Sequence, residues 1–370
     1  MHQQENFTEL QRLNGSKIRT EEIDRQIPNL LKAARISGLG VTVFNQGQCR
    51  YQRSFGWRNI EEKQLLTPDT VVYGASFTKA IFAYLVMQLV DEKRLELDKP
   101  VYRYLPKPLH EYEKYSELVA DRRYEKITAR MILSHTTGFP NFRFFNPDEK
   151  LDIKFEPGTQ YSYSGEGINL LGFVVEYGMG KSVGELMRER IFEPFQMQRT
   201  SMVWEPRFES NYAIGYDEQE KPLGHKRRTS PRAAGSMDTT LADYSRFFES
   251  VLARRALSKK SWETLFTPQI RIHSKTQFPT PSKETTTQND RIALSYGLGW
   301  GIFKTPYGKA CFKEGHDDGW ENHCVFFEKS KTGVILMSNS SNGDSVFKEL
   351  LEYLIGDTFT PWEWEGYQPL

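Results

Sequence analysis

Ser76-Phe77-Thr78-Lys79 sets a hydroxyl three residues before an amine. On a helix, positions i and i+3 share a face, about 5–6 Å apart at Cβ, so Lys79 would stand beside the Ser76 hydroxyl. A serine is a weak nucleophile until a neighbour takes its proton. Burial and the positive end of a helix dipole both disfavour an ammonium, so a buried first-turn lysine becomes a base. The Ser76 N–H would point outward from the same turn, ready to hold an oxyanion. Serine is also a favoured N-cap, which is the purely structural reading of Ser76. The spacing recurs at Ser345 and Lys348, where it opens an ordinary terminal helix and reads as a solvated face.

A second candidate is Tyr163, in Pro157-Gly158-Thr159-Gln160-Tyr161-Ser162-Tyr163-Ser164-Gly165. A phenol beside a lysine has its pKa lowered, and could carry a proton between the serine and a leaving group. The plainer reading is a pair of tyrosines packing at the start of the next helix. A third is Glu314-Gly315-His316-Asp317-Asp318-Gly319-Trp320. Here His316 could donate a hydrogen bond or a proton, and the Gly319 N–H could complete an oxyanion hole. Histidines 316 and 323 with Asp317 and Asp318 also suggest a metal site, but they lack helical ligand spacing and any His-Glu-x-x-His. No cofactor motif is found, so no cofactor is expected.

These residues need elements to hold them. Residues 76–92 form a helix that is apolar on nearly every face from Ala80 to Val90, which predicts burial. Residues 20–35 predict an amphipathic helix, with Ile23, Ile27, Leu30 and Leu31 at helical spacing. Two apolar-rich runs around Asn45-Gln46-Gly47 predict a hairpin. The middle of the chain mixes short helices with Pro and Gly breaks, among them 127–140, 167–180 and 241–257. The polar stretch 273–290 reads as a surface loop. YGLGWGIF, KACFKEG, HCVFFEK and GVILMSNS then read as strands, and VFKELLEYLIG as a final helix. Strands at both ends and helices between predict one sheet with an inserted helical domain. The expected division is a sheet domain of residues 1–98 and 290–370, and a mostly helical domain of 99–289.

The chain has 370 residues, 38% of them apolar, which is enough for a sizeable core and excludes global disorder. Lys and Arg number 49 against 48 Asp and Glu, so charge gives no reason to expect a nucleic-acid partner. The longest apolar run, Ala80 to Met87, falls far short of the roughly 20 residues a membrane span needs. Cys49, Cys311 and Cys324 are too few and scattered for a disulfide framework. The opening MHQQENFTEL has no basic and apolar signal pattern, which leaves a cytoplasmic protein or the mature part of an exported one.

Together the three segments resemble the serine β-lactamase and penicillin-binding-protein superfamily, in the branch of class C β-lactamases, D-alanyl-D-alanine carboxypeptidases and related esterases. Ser76-x-x-Lys79 matches the first family motif and Tyr163-Ser164-Gly165 the Tyr-Ser-Asn-type second. His316-Asp317-Asp318-Gly319 sits where a Lys-Thr-Gly or His-x-Gly third motif belongs. The flanking text is similar too, in TPDTVVYGASFTKA, ITARMILSHTTGFP and PGTQYSYSGEGINLLG, from about Leu39 to Asn339. The resemblance implies an α/β (α+β) fold: an antiparallel sheet flanked by helices, a helical insertion, and an active site between them. It implies a serine hydrolase working through an acyl-enzyme on a small-molecule or peptide ester, amide or lactam. Ser76 would be the nucleophile, Lys79 and Tyr163 a proton relay, and the Ser76 and Gly319 N–H groups the oxyanion hole. Gly165 replaces the family Asn, His316 the family lysine and Asp318 the family glycine, in positions that bind substrate. Those departures favour an esterase or D-amino-acid peptidase over a true β-lactamase. A non-catalytic binding protein of the same fold is the alternative from another class. Lys331-Thr332-Gly333 spells the literal β-lactamase motif, but lies between two strand-like runs and reads as a hairpin turn.

Overall fold

The computed structural model describes residues 7–369. Residues 1–6, which carry much of the stretch read for a signal peptide, lie outside the described residues. A nine-stranded antiparallel sheet organises the molecule. Its strands are β1 (Gly38–Asn45), β2 (Gln48–Asn59), β3 (Gln64–Leu65), β4 (Ile270–Arg271), β5 (Ser295–Tyr296), β6 (Gly301–Thr305), β7 (Gly308–Asp317), β8 (Trp320–Phe327) and β9 (Thr332–Ser338). They lie in the order β4-β5-β6-β7-β8-β9-β1-β2-β3. The seam between the two ends of the chain is β9 against β1, with Leu336 opposite Val41.

The expected hairpin joins β1 to β2 through Gln46 and Gly47, both at positive φ (55° and 80°). Two left-handed residues match the right-handed twist of the flanking strands. Every residue of β1 is buried, as a strand covered on both faces must be. Leu39, Val41 and Val43 share one core with Ile23, Ile27 and Leu31 of α1 (Thr20–Ala34). On the other face, Phe44 packs 4.9 Å from Phe248.

That second face carries α2 (Phe77–Asp91), with α3 (Gly165–Met179) in the same core, and α4 (Leu241–Leu252). Phe77 to Leu89 of α2 are all buried, as the all-round apolar sequence predicts. α3 ends at Gly180, whose φ of 66° closes the helix. Short 3₁₀ turns fill residues 101–126. The sheet begins ahead of residue 290, because Ile270 and Arg271 pair with Tyr296 and Ser295. α4 likewise lies on the sheet through Thr42–Ser245. The chain closes with α5 (Phe347–Ile355) and α6 (Trp362–Glu365) against the first core. Among the described residues no helix is long and apolar enough to cross a membrane.

Candidate active site

A short pair, Val71–Tyr73 against Asp238–Thr240, delivers the chain to Ser76. The turn Gly74-Ala75 then reverses into α2. Ala75 has φ 45°, in the left-handed region that costs an L residue roughly 1–2 kcal/mol. The turn is held in place by its own hydrogen bonds. The Gly74 N–H donates to Met237 O (2.9 Å), the Phe77 N–H to Gly74 O (2.9 Å), and the Thr78 hydroxyl to Ala75 O (2.6 Å).

Ser76 stands at the N-cap position but makes no side-chain cap. Its Oγ lies 2.8 Å from Lys79 Nζ, which also donates to Ala234 O at 2.6 Å. The capping reading of Ser76 therefore does not hold. Lys79 is buried, and burial, followed by the nearby Lys313 charge, holds its pKa well below the ordinary lysine value. A neutral amine that spends one N–H on Ala234 has its lone pair free for the Ser76 hydroxyl proton.

Tyr163 enters from the residue before the N-cap of α3, where Ser164 Oγ accepts the Gly167 N–H at 3.0 Å. Its ring lies over Lys79 Nζ (4.9 Å to the centroid) and Lys313 Nζ (5.1 Å). Burial pushes the phenol pKa up, and Lys313 works against that shift. Lys313 Nζ donates to Tyr163 Oη (3.2 Å), Glu314 O (2.9 Å) and Glu314 Oε1 (3.0 Å). Burial alone would raise the Glu314 carboxyl, but Lys313 and Gln277 hold it down to about 2, so Glu314 is ionised. The structure thus brings Ser76, Lys79 and Tyr163 together, and adds a buried lysine–glutamate pair.

Other expected positions are corrected. β7 runs on to Asp317, and Asp318-Gly319 is the two-residue turn into β8. Gly319 has φ 82°, packs on Gly215 and Tyr216, and its N–H donates to Ser341 Oγ at 2.8 Å. That N–H is spent away from Ser76, so Gly319 supplies no oxyanion donor. Asp318 is exposed in the same turn. The residue that meets Ser76 is Gly315. A Cβ there would stand 2.9–3.0 Å from Gly74 O, Phe77 N and Ser76 N, so only glycine fits. The lysine-x-glycine text facing Ser76 is therefore Lys313-Glu314-Gly315, three residues before the expected position. His316 does not take the place of the family lysine. Its ring is exposed and packs 5.5 Å from Phe278, whose ring is 5.5 Å from Tyr163. The Gly165 N–H donates to Asn141 Oδ1 at 3.1 Å, with the Phe142 ring against the glycine. Lys331-Thr332-Gly333 lies at the turn between β8 and β9, as expected.

Sequence reasoning missed Lys313, Gly315 and His135. The His135 ring packs against Tyr163 with centroids 4.2 Å apart and planes tilted by 32°, and its Nδ1 accepts the Ser164 N–H at 3.1 Å. Burial above all holds its pKa well below the ordinary histidine value. Asp-Gly between apolar runs is a strong two-residue hairpin signal, and would have set the β7 register correctly. Among the described residues, no three His, Cys, Asp or Glu side chains converge to hold a metal ion.

Comparison with known proteins gives the family and the fold. The family described as Beta-lactamase matches residues 23–355. Penicillin-binding protein 4* of Bacillus subtilis is 24% identical over 341 residues, covering 83% of this chain and 69% of that one. A Beta-lactamase of Escherichia coli is 24% identical over 351 residues, covering 86% and 88%. Two solved structures share the fold. The octameric penicillin-binding protein homologue from Pyrococcus abyssi has a TM-score of 0.74 at 22% identity, covering 93% of this chain and 79% of that one. The D-alanine carboxypeptidase AmpC from Burkholderia cenocepacia has a TM-score of 0.69 at 20% identity, covering 87% and 94%. With its sheet, its buried Ser-x-x-Lys and a family match across most of its length, the chain belongs to the beta-lactamase family of serine hydrolases.

Proposed function

We propose that the protein hydrolyses esters or amides through an acyl-enzyme on Ser76, as an esterase or D-amino-acid peptidase rather than an efficient β-lactamase. The observation that carries the reading is Lys79, buried between Ser76 Oγ and Ala234 O. Ser76 Oγ bonds to the carbonyl carbon while its proton passes to Lys79 Nζ. The Tyr163 phenol relays a proton to the leaving heteroatom as its bond to carbon breaks. Water then cleaves the acyl-enzyme by the reverse proton path and restores the Ser76 hydroxyl. Lys313 holds the Tyr163 oxygen and favours its ionised form.

The oxyanion site in this reading is the Ser76 N–H with the His316 N–H. The Glu328 N–H donates to Lys309 O across the β7–β8 pair. Alternation along an antiparallel strand then turns the backbone groups of Glu314 and His316 toward the other edge. β6 covers that edge only as far as Phe312. The His316 N–H is thus open beside Ser76, while the His316 side chain lies at the cleft mouth.

The preference against β-lactams rests on Glu314. A penicillin or cephalosporin carries a carboxylate that needs a free cation. Here Lys313 is already paired with an ionised Glu314, which repels a second anion. Labelling with a fluorophosphonate, read by intact mass and peptide mapping, tests the nucleophile. One adduct on Ser76, absent from Ser76→Ala, is expected. No adduct on folded protein would favour a binding protein of the same fold. Comparing kcat/KM for a chromogenic cephalosporin and a short-chain nitrophenyl ester tests the preference, and a much higher value for the cephalosporin would overturn it.

A further inference from the structure

The polar stretch 273–290 does run over the surface as a loop, yet one of its residues is buried. Gln277 is 2% exposed, while the rest of the stretch is exposed or half-buried. The loop is folded on itself by the Lys275 N–H on Glu284 O and the Thr286 N–H on His273 O, both at 2.9 Å. It is pinned to α6 by the Gln277 N–H on Trp364 O (2.7 Å) and by Trp364 Nε1 on Ser274 Oγ (3.1 Å). Burying an amide side chain is unfavourable unless a partner receives it, so the partner shows what the burial is for.

That partner is Glu314. Gln277 Nε2 donates to Glu314 Oε1 at 2.7 Å, the same oxygen that Lys313 Nζ reaches at 3.0 Å. A carboxylate accepts only a donor, which orients the amide with its nitrogen toward Glu314. Glu314 Oε2 and Gln277 Oε1 have no hydrogen-bond partner. Two bonds therefore fix the carboxylate, one from the adjacent lysine and one from the loop.

Strand geometry explains the need for the second. Successive side chains of a strand point to opposite faces. A glutamate beside a lysine meets it only if its carboxylate turns back round the strand edge. β8 occupies one edge of β7, and β6 leaves the other free beyond Phe312. Lys313 Nζ takes Glu314 O as well as Oε1, which puts the meeting at the free edge. Its third N–H goes to Tyr163 Oη. Burial opposes the Lys313 charge, but Glu314 and Tyr163 outweigh burial, so Lys313 stays an ammonium. Phe278, the next loop residue, packs 5.5 Å from both the Tyr163 and the His316 rings.

Resting on the hydrolase reading above, we propose that Gln277 is a positioning residue of the proton relay, holding Glu314 against Lys313 so that Lys313 stays charged and aimed at the phenol that protonates the leaving group. Loop 273–290 is then part of the active site and not a mere surface connection.

The test compares phenyl acetate with p-nitrophenyl acetate, which share an acyl group and differ in how much the departing oxygen needs a proton. Acylation, the step in which that oxygen leaves, is read by kcat/KM. Gln277→Met keeps the length of the side chain and removes the donor. It should lower kcat/KM about tenfold for phenyl acetate and less than about threefold for p-nitrophenyl acetate. General damage lowers both alike, so the ratio is insensitive to it; thermal melts and a repeat with Gln277→Ala check folding. A second arm asks through which group Gln277 acts. In a Glu314→Met background, Gln277→Met should change either value by no more than about twofold, because nothing is left for the amide to hold. No loss, equal losses for the two esters, or a full loss that persists in the Glu314→Met background overturns the proposal. If neither ester turns over while fluorophosphonate still labels Ser76, the labelling rates of phenyl and p-nitrophenyl phosphonate esters are compared in the same way. Failure of the labelling itself strikes the hydrolase reading, and this inference with it.

Discussion

Two Ser-x-x-Lys tetrapeptides lie in this chain, and the fold treats them oppositely. At the first, Lys79 is buried and its amine meets Ser76 Oγ. At the second, the Ser345 hydroxyl donates to Asn342 O at 2.7 Å, and the half-exposed Lys348 pairs with Glu352 at 2.9 Å. The spacing is the same in both. Only at the first does desolvation make the amine a base, and only there does a second lysine reinforce it. Chemistry here comes from the dielectric around the tetrapeptide, not from the tetrapeptide.

The largest expected break in that comparison is at the first pair. Ser76→Ala or Lys79→Met should lower kcat by roughly three to six orders of magnitude, as loss of a nucleophile or its base does elsewhere. Steady-state kinetics on a nitrophenyl ester will check it, and a loss below tenfold would sink the relay.

Lys313→Met should cost about two orders of magnitude in kcat/KM. It should also move the acid limb of the pH profile. The Lys313 charge helps to depress the Lys79 pKa. Removing it raises that pKa, so activity should begin to fall at a higher pH than in the wild type. An unmoved limb would mean that Lys79 is not the titrating base.

Gly315→Ala should come next, since its Cβ would press on the Ser76 and Phe77 backbone. Overpacking of this kind costs about 1–3 kcal/mol, which a denaturant titration will read, with a parallel fall in rate. Ser345→Ala should sharpen the contrast from the other side. A small stability change, about 0.5–1.5 kcal/mol for one lost hydrogen bond at a half-buried position, and unchanged turnover are expected.

Most of the fold was legible because its signals are local. The all-round apolar α2, the left-handed Gln46-Gly47 turn and the Gly180 helix stop each follow from a few residues. Ser76, Lys79 and Tyr163 were legible for a related reason: two lie on one helix turn, and the third opens another. Lys313 and Gly315 depend instead on the register of β7, which alternation leaves open unless the hairpin turn is placed first. A slip of three residues put His316 and Gly319 where Lys313 and His316 stand. His135 was hidden because its work is to pack against Tyr163, and no spacing rule reports packing between distant segments.

The seam where β9 meets β1 bears on how the protein comes to life on the ribosome. Ser76 and Lys79 emerge early, but Lys313 and Gly315 arrive with β7, a strand made hundreds of residues later that reaches β1 only through β8 and β9. Until those strands dock on β1, the nascent chain carries the Ser76–Lys79 pair with no second lysine and no glycine wall. The proposed hydrolysis should therefore be silent through most of synthesis and switch on abruptly with the last strands of the sheet.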